Sequence, residues 1–253
     1  MAKEFGGKTV LVTGASRGIG AATAIAFAQQ GASRILLQYH SYREGAEETA
    51  AAVRQAGAEC EMHAANLGTP EGIHSFVAAL GSGPGVDILV NNAGSLVKRA
   101  KLAEMTEATF DEVMNLNVKS VWLITQAVAP RMVERKSGAV INVSSIAARN
   151  GGGPGATIYS AAKAAVSTIT KGLAKELAPH GVRVNAVSPG TVDNHFHEQF
   201  SSKEMLQNMV NMTPAGRLGT NEEVADVILF LCSEGSRYVY GQTIEINGGM
   251  FMI

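Results

Sequence analysis

A chain of 253 residues, 46% of them hydrophobic, can bury a core large enough to need neither a disulfide framework nor a structural metal. Its 21 basic and 22 acidic residues leave a net charge of −1 with no block of one sign, which argues against a nucleic-acid or anionic-membrane surface. Cys60 and Cys232 form no CxxC pair, no apolar run approaches the ~18 residues of a membrane span, and the first strand-like run begins at Thr9, so a cytoplasmic protein is expected. Charged residues make up only 17%, against a typical ~25%, a composition that favours an oligomer.

In chain order, β-branched or leucine-rich runs occur at Thr9–Thr13, Ile35–Tyr39, weakly at Glu61–Asn66, then Val86–Asn91, Ala139–Ser144, Val182–Ser188 and Thr243–Asn247. Between them, helical spacing is read at Ile19–Gln30, Arg43–Ala56, Glu71–Leu80, Glu107–Arg135 with Pro130 inside it, Ile158–Ala178 and Glu222–Cys232. Several strand runs are apolar on successive residues, as strands covered on both faces should be. The expected fold is therefore α/β, a single Rossmann-type domain over 1–253: a doubly wound parallel sheet of about seven strands with helices on both faces. The long irregular region at about 190–219 is expected to be a substrate lid.

The first strand runs into Thr13-Gly14-Ala15-Ser16-Arg17-Gly18-Ile19-Gly20 and then a helix. Glycines there permit a tight turn and close approach of backbone to a pyrophosphate, which the N–H groups and dipole of the helix would hold. Tyr159-Ser160-Ala161-Ala162-Lys163 puts a phenol and an ammonium on one helical face. Asn91-Asn92-Ala93-Gly94 closes one strand, Ser144-Ser145 the next, and Pro189-Gly190 the strand after the tyrosine helix. Asn117 stands mid-helix, where an asparagine is unfavourable unless its amide is hydrogen-bonded.

Taken together and in this order, these motifs resemble the short-chain dehydrogenase/reductase family, over residues 5 to 253. Asn66-Leu67, Pro214-Ala215-Gly216-Arg217-Leu218-Gly219 and the tail Asn247–Ile253 make the chain most similar to the 3-oxoacyl-acyl-carrier-protein reductases. The resemblance implies an NAD(P)-dependent oxidoreductase that reduces a carbonyl, with a 3-oxoacyl thioester as substrate. Two alternatives stand beside it: a dehydrogenase of a sugar, polyol or other secondary alcohol, and a non-catalytic nucleotide sensor.

The resemblance also implies roles. Tyr159 is the expected acid, Lys163 its partner, Ser145 the group that stabilises charge on the substrate oxygen, with Ser144 a rival, and Asn117 the holder of a water. A unit charge ~4 Å away at an effective dielectric of ~20 is worth about 4 kcal/mol, or roughly 3 pKa units, so Lys163 could bring the phenol near 7–8. The cofactor is expected on Gly14, Ser16, Arg17, Gly18, Ile19 and Gly20 at the pyrophosphate, on Asn66, Leu67, Asn92, Ala93 and Gly94 along the strand ends, and on Tyr159, Lys163, Pro189, Gly190 and Val192 at the nicotinamide. The family's threonine after Pro-Gly falls here on Asn194. An NAD-selecting acid would stand at Tyr39; with none there, Arg17, Ser41 and Arg43 are expected to take the 2′-phosphate of NADP(H).

No metal is expected, since His195-x-His197 lacks a third ligand. Met205, Met209 and Met212 suit either lid packing or an adaptable substrate wall. The apolar tail Met250–Ile253 is expected at a subunit boundary of a homotetramer, its alternative being the chain's own lid. The resemblance implies basic residues near the active-site entrance for an acidic carrier protein; with Lys136, beside Arg135, and the largely uncharged His180 at those positions, carrier recognition is expected to be weakened and salt-sensitive, with activity on small thioester mimics retained. Nucleic acid and membrane are not expected partners.

Overall fold

In the computed structural model, which describes residues 3–81, 83 and 85–252, seven parallel strands form one sheet in the order β3-β2-β1-β4-β5-β6-β7. The strands are β1 (Thr9–Val12), β2 (Arg34–Tyr39), β3 (Glu59–Ala64), β4 (Ile88–Asn91), β5 (Gly138–Val143), β6 (Val182–Pro189) and β7 (Thr243–Ile246). The helices that cover them are α1 (Gly18–Gln29), α2 (Arg43–Gln55), α3 (Pro70–Gly81), α4 (Glu107–Met114), α5 (Ser120–Arg135), α6 (Ala147–Asn150), α7 (Thr157–Leu177), α8 (His195–Phe200), α9 (Lys203–Met212) and α10 (Asn221–Cys232).

Successive strand residues enter opposite cores. Val10, Val12, Ile35, Leu37 and Val90 pack with Phe27, Val53 and Ile228, whereas Leu11, Leu36 and Leu89 pack with Ile73, Ile124 and Leu173. This two-sided burial is why the central strands read as unbroken apolar runs. The weak run before Asn66 is the edge strand β3, where exposed positions dilute the apolar signal.

Two expected elements differ from what is observed. The helix expected over Glu107–Arg135 is interrupted by a π-helical turn at Asn115–Lys119, while Pro130 stays within α5. Apolar periodicity conceals one extra residue per turn, so the break left no mark on the pattern. The region 190–219 is not irregular throughout: α8 and α9 lie in it, capped by the side chains of Asn194 and Ser202. Both helices are short and polar on their outer faces, hence faint in sequence.

The strand order reverses between β1 and β4, so the cleft expected of such a sheet opens at their carboxyl ends.

Candidate active site

A cleft of about 820 Å³ runs along these carboxyl ends from the glycine loop to the α8–α9 segment. Its floor is tied together by buried side chains and backbone. Thr13 Oγ1 accepts from the backbone N–H groups of Asn92 and Ala93, both at 3.0 Å. Asn92 Nδ2 donates to the carbonyls of Thr13 and Gly14, and Gln38 bridges the Gly14 N–H to the Ala65 carbonyl. A Cβ on Gly20 would stand 2.4 Å from the Gly14 carbonyl oxygen and 2.5 Å from Asn92 Nδ2, so only glycine fits. This cradle, which side chains would fill, suits a dinucleotide, and Gly14, Ser16, Arg17, Gly18, Ile19, Asn66, Leu67, Asn92, Ala93 and Gly94 all line the cleft.

At the adenine end the expectations are partly redirected. Tyr39 is buried in the sheet core, and strand alternation turns Gln38 and His40 to the cleft instead. Glu112 is the one carboxylate among the described cleft-lining residues, and it lies beside Gly68 rather than at the end of β2. The Arg17 guanidinium lies over the Tyr42 ring, 4.8 Å from its centroid, and Ser41 lines the cleft. Arg43 does not line it; the side chain is exposed and pairs with Glu47 at 2.8 Å.

The reaction end is assembled from four segments. Ser145 and Tyr159 both line the cleft, where the Ser145 hydroxyl lowers the phenol pKa, and Ser145 Oγ accepts from the Ala147 N–H at 3.1 Å. Ser144 points the other way: its hydroxyl is buried, 2.9 Å from the Lys163 carbonyl and 2.8 Å from Ser167 Oγ. Of the two serines, geometry therefore brings Ser145 to the phenol.

Lys163 is buried, with Nζ 2.8 Å from the Val143 carbonyl and 5.7 Å from the Tyr159 ring centroid. Asn117 is fully buried; its Nδ2 donates to the carbonyls of Ser95 and Val113, and its Oδ1 accepts from the Ser95 N–H. The amide thus locks the loop after Gly94 to the π-helical turn, with one Oδ1 lone pair left for water. A Cβ on Gly94 would stand 2.7 Å from both Asn117 Oδ1 and Lys163 Nζ, so this glycine lets the two groups converge.

Burial pushes the Tyr159 phenol up to about 12, against the smaller opposing effect of the Ser145 hydroxyl, and lowers the Lys163 ammonium to about 8. The expected descent of the phenol toward neutrality is not seen, because desolvation favours the neutral form of both groups and Val143 holds the ammonium.

A family model described as enoyl-(acyl carrier protein) reductase matches residues 14–251. A 3-oxoacyl-acyl-carrier-protein reductase of Thermotoga maritima is 40% identical over 245 residues, which are 96% of this chain and 98% of that protein. The chain belongs to the short-chain dehydrogenase/reductase family. In shape it is similar to a proposed NAD(P)-dependent gluconate 5-dehydrogenase of Beutenbergia cavernae with NADP bound at low occupancy (TM-score 0.91, 32% identity, 99% of each chain covered). It is also similar to an NADH-dependent reductase responsible for alginate metabolism (TM-score 0.87, 34% identity, 99% of this chain and 100% of that one). The protein is thus an NAD(P)-dependent oxidoreductase.

Sequence reasoning missed the aromatic cluster and the arginine beside Tyr159. Phe196 packs against Tyr159 with ring centroids 5.7 Å apart, and His197 and Phe200 pack against Phe196 in turn. Arg99 donates to the Phe200 carbonyl at 2.8 Å and the Pro154 carbonyl at 2.9 Å. Asn194, at the position of the family's threonine, caps α8 and donates to Asn221 Oδ1. Pro189, Gly190, Val192, Met209, Met212 and Met250 line the cleft. Burial, with the Arg99 charge behind it, lowers His197 to about 4, so its ring is neutral near pH 7.

Lys136 and His180 immediately precede β5 and β6, at the amino ends of the sheet, and neither lines the cleft. The expected basic entrance is therefore on the opposite edge of this chain. Met252 is 77% exposed, while Ile253 lies outside the described residues. Among the described residues no group of three metal-ligating side chains occurs, and no helix is long and apolar enough to cross a membrane.

Proposed function

We propose that this protein is an NADPH-dependent reductase converting a ketone to a secondary alcohol, with 3-oxoacyl thioesters, free or on a carrier protein, as its substrates. The observation that carries the reading is the convergence of Ser145, Tyr159 and Lys163 at the head of a glycine-floored dinucleotide cleft. Likeness to the Thermotoga reductase over nearly the whole chain supports the choice of thioester.

When bound, the nicotinamide supplies a hydride to the carbonyl carbon. Tyr159 gives its proton to the carbonyl oxygen, and Ser145 donates to that oxygen as negative charge gathers there. The Lys163 charge opposes the cost of leaving a phenolate in a buried site. Asn117 fixes the Ser95 backbone and holds a water that returns the proton from solvent. The segment 190–219 is the lid, and Phe196 excludes water from Tyr159.

NADPH is preferred over NADH because no carboxylate opposes a 2′-phosphate at the end of β2 and Arg17 and Ser41 stand beside its site. The Arg43–Glu47 pair is exposed and therefore weak, so a phosphate can draw Arg43 in. The low charge content and the exposed Met252 support a homotetramer, and the free thiols Cys60 and Cys232 support a reducing cytoplasm as its setting. A second reading, oxidation of a sugar or polyol, is favoured by the likeness in shape to the gluconate dehydrogenase.

Steady-state oxidation of NADPH and NADH against a panel of ketones tests the reading. An acetoacetyl thioester should be the best substrate, with NADPH preferred by about tenfold, as one charge-assisted contact would give. Turnover confined to sugar alcohols, or equal use of the two cofactors, would overturn it.

A further inference from the structure

Arg99 leaves the loop after Gly94 and reaches the substrate end of the cleft, where it is half-buried. Its guanidinium is gripped from behind: Nε bonds the Phe200 carbonyl and Nη1 the Pro154 carbonyl. A guanidinium has five N–H donors in a rigid fork, so three remain, and among the described residues none has a protein partner. Among those residues Arg99 forms no ion pair either, whereas Arg34, Arg43, Arg135, Arg149 and Arg217 each meet a carboxylate.

The surroundings make this arrangement costly without an anion. Phe196, Phe200 and Met209 give the cleft an apolar wall, and the charge of Arg99 is felt at His197, whose protonation it opposes. An unpaired charge held beside such a wall favours a ligand that brings the opposite charge. The wall also sets a scale. Arg99 bonds the Phe200 carbonyl, and the Phe200, Phe196 and Tyr159 rings follow one another at 5.1 and 5.7 Å, so the cation and the phenol belong to one contiguous cluster in the same cleft. The phosphate of a carrier arm is many bonds further from its ketone; a carboxylate on a small substrate is not.

We propose that the same reaction centre also reduces small oxo acids, with Arg99 as the residue that anchors their carboxylate and so determines this specificity. The inference rests on the reductase reading for its chemistry, though not for the anion site. In the reaction the carbon–oxygen π bond breaks, the carbon gains a hydride from the reduced nicotinamide, and the oxygen gains the Tyr159 proton. The nicotinamide leaves oxidised, the phenolate regains a proton from solvent, and the carboxylate is unchanged.

The test compares levulinate, a small ketone bearing a carboxylate, with its uncharged methyl ester in the wild-type protein, Arg99→Gln and Arg99→Lys. Wild type should favour the acid in kcat/KM, and Arg99→Gln should lower the acid-over-ester ratio by about tenfold or more, the worth of a charge-assisted contact. Arg99→Lys, which keeps the charge without the fork, should fall between them. Because Arg99 also holds the end of α8, a purely structural role would slow both substrates equally and leave the ratio unmoved. That result, or equal use of acid and ester by wild type, would overturn the proposal. Calorimetry supplies a readout without turnover: levulinate should bind wild type with heat that Arg99→Gln loses. Binding so lost, with no ketone turned over by wild type, would uphold the anion site and sink the reductase reading; no binding to wild type would sink the site.

Discussion

The two walls of the cleft are built differently. The cofactor floor is made of backbone and short amide or hydroxyl side chains in which nearly every polar atom has an assigned partner: Thr13 with Asn92 and Ala93, Gln38 with Gly14 and Ala65, Asn117 with Ser95 and Val113. The facing wall is made of α8 rings that touch one another and Tyr159, with Met209 and Met212 of α9 beside them and Arg99 bonded to the Phe200 carbonyl. In the floor, hydrogen-bond geometry and the absence of a Cβ dictate which residue can stand where. In the wall, any side chain of suitable bulk can close the site, so identity there follows the substrate rather than the fold.

The largest contrast is expected within a single dipeptide. Ser145→Ala should cost about 10²–10³ in kcat, the usual loss of one donor to a developing oxyanion. Ser144→Ala should leave chemistry nearly intact and lower stability by ~1 kcal/mol through its lost buried hydrogen bond, read as a denaturant midpoint. Reversed effects would exchange the two serines and break the assignment.

A smaller contrast sets floor against wall. Gly94→Ala would force a Cβ to within 2.7 Å of Asn117 Oδ1 and Lys163 Nζ, and the ~1–3 kcal/mol of such overpacking should lower turnover by about tenfold to 10²-fold. Phe196→Leu should raise the substrate KM only several-fold, since a leucine still covers much of the phenol, and should leave NADPH affinity alone. Steady-state kinetics on both variants would sharpen the distinction; equal damage would erase it.

The same contrast explains what the sequence made legible. Gly14, Gly18, Gly20, Asn92, Gly94, Tyr159 and Lys163 could be picked out because steric and hydrogen-bonding needs tie residue type to position. Ser144 and Ser145 could not be separated, since adjacent residues at a strand end differ only in which way they face. Tyr39 failed as the cofactor-facing position for that same reason of alternation. Arg99, Phe196 and His197 lie in segments about a hundred residues apart that meet only in the folded chain, and nothing local announces the meeting. The π-helical turn was hidden by a periodicity it barely disturbs, although the awkward Asn117 at its centre was the visible sign.

The central claim is that Tyr159, held by Ser145 and backed by Lys163, donates the proton in ketone reduction. Tyr159→Phe keeps the ring against Phe196 and removes only the hydroxyl, so it isolates that role. Its kcat for NADPH-dependent ketone reduction, measured beside NADPH binding by fluorescence titration, should fall at least ~10²-fold while the cofactor still binds. Turnover within a few-fold of wild type would contradict the account.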